Sequence, residues 1–521
     1  MSVSRVRVAF AAGVLTAALG VGGWVLGSGF RVEQRTGAGA KLFDQVLSAV
    51  AERYVDSLDA SLLYQRAAAG LVYELGDPHS VFLDSARLVR VQSSITGLVG
   101  QLGVTVDVRD GWVSVLSTLP GAPADVSGLR AGDRIVSIDG RATRDWTTEE
   151  ARRALRGNPG STVTVIVERV GVPGRTELTL EREAVYQRPV QRAMLIEPRV
   201  GYLALRTFSD SAALELTSAI DSLHAAGMRA LVFDLRGNPG GLLNQGTAIA
   251  DLFLDSGQAI VSLRGRDPES NRSVVATTQQ RWPDLRLAVL VDRSTASASE
   301  IVAGALQDHD RALVLGRRTY GKGSAQAVFS FRDAAGLKLT TSRWYTPSGR
   351  NIDFSFEAAL DGDGTPADTA KKVYKTALGR TVAGGGGIVP DVVAGDSITP
   401  PEYRALFAAV GRNMRRFRAS QSEEARAIAR RSPPSPDFDV TPAMRDALYL
   451  RATRAGVRID RAVFDRAATW IDRQLGAEAT RIAFGRVAEE RRLVTRDRTV
   501  QEAVTRLKAA RTTRDLFAKA N

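Results

Sequence analysis

A chain of 521 residues, 44% hydrophobic and 24% charged, has the make-up of an ordinary globular protein with apolar residues for several cores, which excludes a collagen, a low-complexity polymer and a wholly disordered chain. The absence of cysteine excludes a disulfide framework, a thiol nucleophile and a Cys-ligated metal, and three histidines leave little room for His-based chemistry. The net charge is +13, but residues 396–521 hold 26 Lys+Arg against 16 Asp+Glu, so the excess is local and gives no reason to expect nucleic acid as a partner.

Behind Arg5 and Arg7 runs an uncharged, mostly apolar stretch over 8–30. It reaches the roughly 20 residues that a helix needs to cross a bilayer. It is longer than the apolar part of a cleaved leader and shows no clear A-x-A-like site, so an uncleaved anchor is favoured over a cleaved signal. The arginines place the start in the cytoplasm and the rest of the chain outside. Residues 1–36 are thus read as a signal anchor.

Over 37–94 the pattern is helical. Leu42, Val46, Val50 and Tyr54 recur every four residues, a second run follows over 60–75, and turn formers fill 76-GDPHSVFL-83. From 95 to 185 the texture changes to short alternating strands, at 103–108, 112–117, 134–138 and 162–168. One helix, 147–157, lies among them. Thr147 and Glu150 fit a capping box at its start, and Gly157 is expected to stop it. From 186 to 395 strands alternate with helices: strand 200–208, helix 212–226, strand 229–235, helix 242–254, strand 286–291, helix 297–308, then strands at 312–316 and 337–343. That order predicts α/β architecture with a mainly parallel sheet. Residues 361–368 and 383–391 read as loops, and the acidic spacing of the first is not that of an EF-hand. Residues 396–521 form a basic, helical C-terminal region broken at 432–442, with Trp470, Leu475, Ile482 and Phe484 expected in its core.

In 100-GQLGV-104 a glycine turn runs into an alternating strand, and 120-PGAPADVSGLRAGDRIVSIDG-140 follows. The second stretch closely resembles the central signature of PDZ domains. That resemblance implies that Gly100 to Gly103 form a turn whose N–H groups receive a peptide's C-terminal carboxylate. Leu102, Gly103 and Val104 would begin the edge on which the peptide adds as a strand, and helix 147–157 would be the other wall. Glycine suits the turn because N–H groups can converge on an anion without a Cβ in the way. The plain alternative is a small β-rich spacer.

The stretch 292-DRSTASASEIVAGALQDHD-310 sets small residues between a strand and a helix. A serine there sits beside helix N–H groups and the positive end of the dipole, which suits a nucleophile and an oxyanion. Alternatively Ser294, Thr295, Ser297 and Ser299 are simple N-caps. In 316-GRRTYGKGSAQ-326, Lys322 lies between Gly321 and Gly323, where backbone can pack close. A lysine is a base only when neutral, and burial lowers its ordinary pKa of about 10.4. A neutral amine near a serine hydroxyl can take its proton. His79 lies in the N-terminal segment, His224 on a helix between strands and His309 in a polar run, so serine with lysine is favoured over serine with histidine.

These two stretches together closely resemble the C-terminal processing peptidases, or tail-specific proteases, which are PDZ-containing Ser/Lys endopeptidases of family S41. The resemblance implies that Ser297, the middle serine of T-A-S-A-S-E, is the nucleophile, that Lys322 is the general base, and that Gln326 positions the lysine. Thr295 replaces a first serine that is not catalytic. Residues 234-DLRGNPGG-241 match a further family motif, which implies an oxyanion hole from Gly240 or Gly241 with Ala298. The order of motifs, including 76-GDPHSVFL-83 and 345-YTPSGRNI-352, is the family's order over roughly 40–395, though the link between Arg350 and 387-GIVPDVV-393 is longer than its compact form. Arg156 is either the family's substrate-sensing arginine or a plain surface residue.

The expected protein is therefore a multidomain α/β serine endopeptidase on the extracytoplasmic side of a bacterial inner membrane. It has an anchor over 1–36, a helical segment over 37–94, a PDZ domain over 95–185, a crotonase-like peptidase core over 186–395 and a helical region over 396–521. It takes protein substrates by their C-terminal tails and is expected to use no metal or cofactor. An adaptor or regulator and self-association are left open. The rivals are a catalytically silent membrane scaffold and an enzyme of acyl-CoA thioesters.

Overall fold

In a computed structural model of the chain, residues 37–109, 111–169, 171–331, 335–353, 373–395, 400–431, 433 and 435–518 are described. The expected anchor over 1–36 and most of the long link, 354–372, lie outside them. Among the described residues no helix is long and apolar enough to cross a membrane. The chain divides into one unit up to Phe82 and one from Leu83. In the first, α1 (Gly37–Arg53) and α2 (Ala60–Tyr73) form where the four-residue periodicity predicts helix, and Asp59 caps α2 by accepting the Leu62 N–H at 2.9 Å. The stripe of Leu42, Val46, Val50 and Tyr54 is exposed.

The second unit opens with α3 (Ser85–Thr96), capped by Asp84. Then come β1 (Leu98–Gln101), β2 (Val104–Arg109), β3 (Trp112–Thr118), β4 (Arg134–Ile138), α4 (Thr148–Leu155), β5 (Thr162–Glu168), β6 (Thr176–Glu181) and β7 (Glu183–Tyr186). Strands β2 to β6 form an antiparallel sheet in the order β2-β3-β4-β5-β6, which leaves β2 at an edge, while β1 pairs with β7. Alternate residues such as Val113, Val115, Val163, Val165 and Val167 are buried together, the period-2 pattern of a half-buried sheet.

The capping box of Thr147 and Glu150 starts α4 as expected. Its end differs from expectation, because Gly157 is not a left-handed stop. The Gly157 and Gly100 backbones exchange two hydrogen bonds, of 3.2 and 3.0 Å, and a methyl at Gly157 would come within 2.8 Å of Arg182. Buried Arg182 donates to the Leu155 and Ala154 carbonyls, at 3.0 and 3.1 Å. A guanidinium thus satisfies the last turn that a glycine was expected to close.

The peptidase region contains β8 (Val190–Glu197), β9 (Val200–Leu205), α5 (Ala212–Ala225), β10 (Ala230–Asp234), α6 (Leu243–Asp251), β11 (Ala259–Gly265), β12 (Arg272–Val275), β13 (Arg286–Val291), α7 (Ala298–Asp308), β14 (Leu313–Gly316), β15 (Ser324–Ser330), β16 (Gly336–Tyr345) and β17 (Val392–Val393). Its main sheet runs β8-β9-β10-β13-β14-β17, parallel except for the antiparallel edge strand β8. A second, antiparallel sheet joins β11, β12, β15 and β16. One face of the main sheet, with Leu203, Leu205, Leu231, Phe233, Val289 and Val291, packs against α5, α6 and α7. Every residue of α7 is buried, its polar Ser299, Glu300, Gln307 and Asp308 included, so each of these needs a partner inside the fold.

The basic C-terminal region is two things rather than one. Helices α8 (Pro401–Val410), α9 (Met414–Arg430), α10 (Pro442–Arg454), α11 (Arg461–Arg466) and α12 (Ala468–Phe484) share a core of their own around Phe417, Leu448, Phe464 and Leu475, with Trp470 against it. Ile482 and Phe484, expected in that core, are 42% and 40% exposed, because they follow the last buried residue of α12, Thr480. After α13 (Arg486–Thr495), α14 (Arg498–Ala509) returns to the main sheet. There Val500, Ala503, Leu507, Leu516 and Phe517 cover its second face, against Tyr202, Val232, Leu290 and Leu315. The peptidase core is therefore completed by residues more than 100 positions past its expected end at 395.

Candidate active site

Parallel strands deliver their loops at their C-terminal ends, the usual place for a site in such a sheet. Here β10 and β13 deliver 235–242 and 292–297 side by side. Asp292 Oδ1 accepts the N–H groups of Gly237 and Ser294, at 3.0 and 2.9 Å. Thr295, buried, takes the Asp292 N–H at 2.9 Å and places its hydroxyl 3.0 Å from the Leu235 carbonyl. Asn238 joins the loops a second time. Its carbonyl accepts the Ala296 N–H at 3.0 Å and the Ser299 hydroxyl at 3.1 Å.

Where the loops touch, Gly240 has φ 96°, and a methyl on it would lie 2.7 Å from the Ala296 carbonyl, 2.8 Å from Ser297 Cβ and 3.0 Å from the Ala298 nitrogen. Only glycine lets the turn lie against the serine. The Gly240 N–H is already donated to Asn238 Oδ1 at 2.9 Å. Phe208 takes the groups on either side of Gly241, donating to the Gly240 carbonyl at 3.1 Å and accepting the Leu242 N–H at 2.8 Å, which turns the Gly241 N–H away from it.

Ser297 stands half-buried immediately before α7, at φ 57°, ψ −120°. An L-residue rarely adopts that conformation, and strain of this kind collects at functional positions. Its N–H donates to Glu300 Oε2 at 2.8 Å. Glu300 is fully buried, and the same oxygen accepts the Lys322 N–H at 3.0 Å. The other oxygen accepts the Gly321 N–H at 2.8 Å and the Thr319 hydroxyl at 2.5 Å. Burial pushes the Glu300 carboxyl up from its ordinary value, against the pull of these donors. One carboxylate thus brings together the backbones of Ser297 and Lys322, 25 positions apart in the chain. Sequence reasoning missed Glu300, although the Ser-x-x-Glu spacing of a capping box is legible at 297–300.

The glycines around Lys322 are required by space. A methyl at Gly321 would lie 3.0 Å from the Gly387 nitrogen, and one at Gly323 2.7 Å from the Asp353 nitrogen. The Lys322 carbonyl accepts from Trp344 Nε1 at 3.0 Å. Gln326, at the start of β15, donates through Nε2 to the hydroxyls of Ser324 and Thr340, at 3.0 and 3.2 Å. Fully buried Arg350, from 345-YTPSGRNI-352, pairs with Asp308 and donates to Gln307 Oε1 at 3.1 Å. That motif therefore anchors the far end of α7.

In the PDZ region, Leu102 is buried and Gly103, at φ 66°, turns the chain into β2 at Val104. The Gly100 N–H is donated to Gly157, so it is spent inside the domain. Arg156 is the exposed C-cap of α4. The peptidase and PDZ residues lie in different sheets of the second unit.

Two family models match the chain: Peptidase family S41 over residues 199–358, and PDZ domain over residues 115–169. The carboxy-terminal-processing protease of Bartonella bacilliformis is 35% identical over 324 residues, which are 61% of this chain and 74% of that protein. The carboxy-terminal processing protease CtpA of Bacillus subtilis is 31% identical over 60% of this chain and 65% of its own length. A photosystem II D1 C-terminal processing protease of known structure is 30% identical over 60% of this chain and 90% of its own, at a TM-score of 0.36. With its S41 peptidase region, its PDZ domain and this identity to a relative matched over most of its length, the chain belongs to the carboxy-terminal processing proteases of the S41 serine peptidase family.

Proposed function

We propose that this protease cleaves with a Ser297/Lys322 dyad and selects extracytoplasmic proteins by their C-terminal tails. The observation that carries the dyad is Glu300 Oε2, which accepts the backbone N–H groups of both residues. In this reading neutral Lys322 takes the Ser297 hydroxyl proton as Oγ bonds to the scissile carbonyl carbon. The N–H groups of Gly241 and Ala298 hold the oxyanion; between the two glycines, the bond from Gly240 to Asn238 favours Gly241. As the C–N bond breaks, the lysine gives its proton to the leaving amine, and it then activates the water that releases the acyl group. Gln326, held through its Nε2, has a carbonyl oxygen to offer the ammonium form of the lysine. The tail would add as a strand along β2, its carboxylate on the N–H groups of Leu102, Gly103 and Val104, and Arg156 at the end of α4 is the candidate sensor of a bound tail. The apolar run over 8–30 behind Arg5 and Arg7 supports an anchor with the catalytic part outside the cytoplasm.

The test uses the full chain in detergent with an unfolded reporter ending in an apolar residue, as free acid and as amide. The reading expects cleavage of the free acid only, lost in Ser297→Ala and in Lys322→Ala. Cleavage that survives Ser297→Ala would remove Ser297 as nucleophile, and carboxylate-dependent binding with no cleavage would favour the silent scaffold.

A further inference from the structure

We propose that an arginine-lined cleft beside the peptidase core binds a phosphate-class oxyanion. It lies where β13 and β14 end, at Val291 and Gly316, and where α14 begins, and offers a half-open space of about 370 Å³. That space admits a phosphate, a pyrophosphate or a phosphorylated headgroup. Arg293, Arg317, Arg473 and Arg498 line it, with the hydroxyl-bearing Ser294 and Thr499.

The acids in the cleft are committed elsewhere. Asp292 accepts from Gly237 and Ser294. Both oxygens of Asp497 accept from Arg236 Nη1, at 3.1 and 3.0 Å, and Asp497 Oδ1 also caps α14 through the N–H groups of Thr499 and Val500. Arg236 is itself held by Asp234 at 2.9 Å. Arg473 also pairs with Asp497, at 3.8 Å, and the lining as a whole carries five arginines against two aspartates. Arg317 donates through Nη2 to the Gly395 carbonyl at 3.1 Å, while its Nε is buried with no partner among the described residues. A desolvated donor without an acceptor is costly, and an oxyanion in the cleft would supply one. Several guanidinium forks around one space suit the many acceptor oxygens of a phosphate better than a single carboxylate, which one arginine fills. Because Ser294 and Asp292 belong to the loop that carries Ser297, an occupant would also brace that loop.

Binding is read directly, so its outcome is independent of the proposed dyad. Isothermal titration of the full chain in detergent with pyrophosphate, at constant ionic strength near 0.15 M to hold screening fixed, is expected to show saturable one-site binding. Arg293→Glu, at an exposed position, is expected to weaken it roughly tenfold or more, the scale of one charge-assisted hydrogen bond, and Arg317→Gln to weaken it as well, with the melting profile of each variant confirming the fold. Competition by soluble dihexanoylphosphatidylglycerol would identify a lipid headgroup as the source, and competition by inorganic phosphate alone a free phosphate. No saturable binding, or equal binding by the wild type and Arg293→Glu, would overturn the proposal.

Discussion

At Ser297 the backbone is held at φ 57°, ψ −120°, which costs a non-glycine residue on the order of 1–3 kcal/mol. The cost persists because Glu300 grips the serine N–H and the neighbouring turn packs against its Cβ. Ser297→Gly is therefore expected to raise unfolding free energy by about 1 kcal/mol in urea melts while abolishing cleavage, a separation of stability from activity. A variant that is less stable than the wild type would refute the strain. Glu300 works at the same scale. Glu300→Gln replaces one acceptor oxygen by an NH₂ facing N–H donors, so the Ser297 and Lys322 backbones lose their shared partner. We expect kcat to fall by about 10² or more, with the affinity for a free-acid tail peptide unchanged. An equal loss in tail binding would mean that the whole fold had been disturbed instead.

Among the elements, α14 is the one whose placement matters most. It lies far from the motifs in sequence, yet Leu507 is fully buried against the main sheet. Leu507→Ala is expected to cost about 2–5 kcal/mol, as large-to-small core changes do, and to lower the denaturant midpoint of the peptidase region itself. If only the helical cluster of α8 to α12 melted earlier, α14 would not be part of the peptidase core. The edge position of β2 is an element-scale property too. It follows from strand order, since β2 pairs with β3 on one side, and it leaves a row of backbone groups for an added strand.

Across the whole molecule, Asp234 links distant parts of the chain. It accepts from the Tyr202 hydroxyl at 2.6 Å and pairs with Arg236, which pairs in turn with Asp497 at the head of α14. Burial pushes its carboxyl up, but Arg236, Arg206 and the Tyr202 hydroxyl outweigh burial and hold it below the ordinary 3.8. A depressed value means that the folded state binds the proton less readily than the unfolded chain. The stabilisation is therefore complete above 3.8 and is lost as the pH falls through the lower folded value. Urea melts should show the wild type losing stability below about pH 4, where Asp234→Asn, weaker at pH 7, loses less. Parallel acid limbs in the two proteins would show that Asp234 does not carry the effect.

The contiguous signals were legible because local chemistry writes them: alternation for the PDZ strands, the Thr147–Glu150 capping box, the order of strands and helices, and the serine and lysine motifs with the glycines that their neighbours' backbones demand. Three things depended on long-range packing and left little or no local trace. Glu300 reads as a helix-cap residue until Lys322 arrives beside it. Gly157 reads as a helix stop until Gly100 and Arg182 fill the space around it. The C-terminal tail reads as one basic domain, because a helix that covers a neighbouring sheet and a helix that covers its own cluster share the same amphipathic pattern. Sequence by itself determined the chemistry available and the family, since these reside in short motifs. Tertiary structure alone decided which carboxylate joins the two motifs and which distant helix closes the core, since both are contacts between segments that no local periodicity encodes.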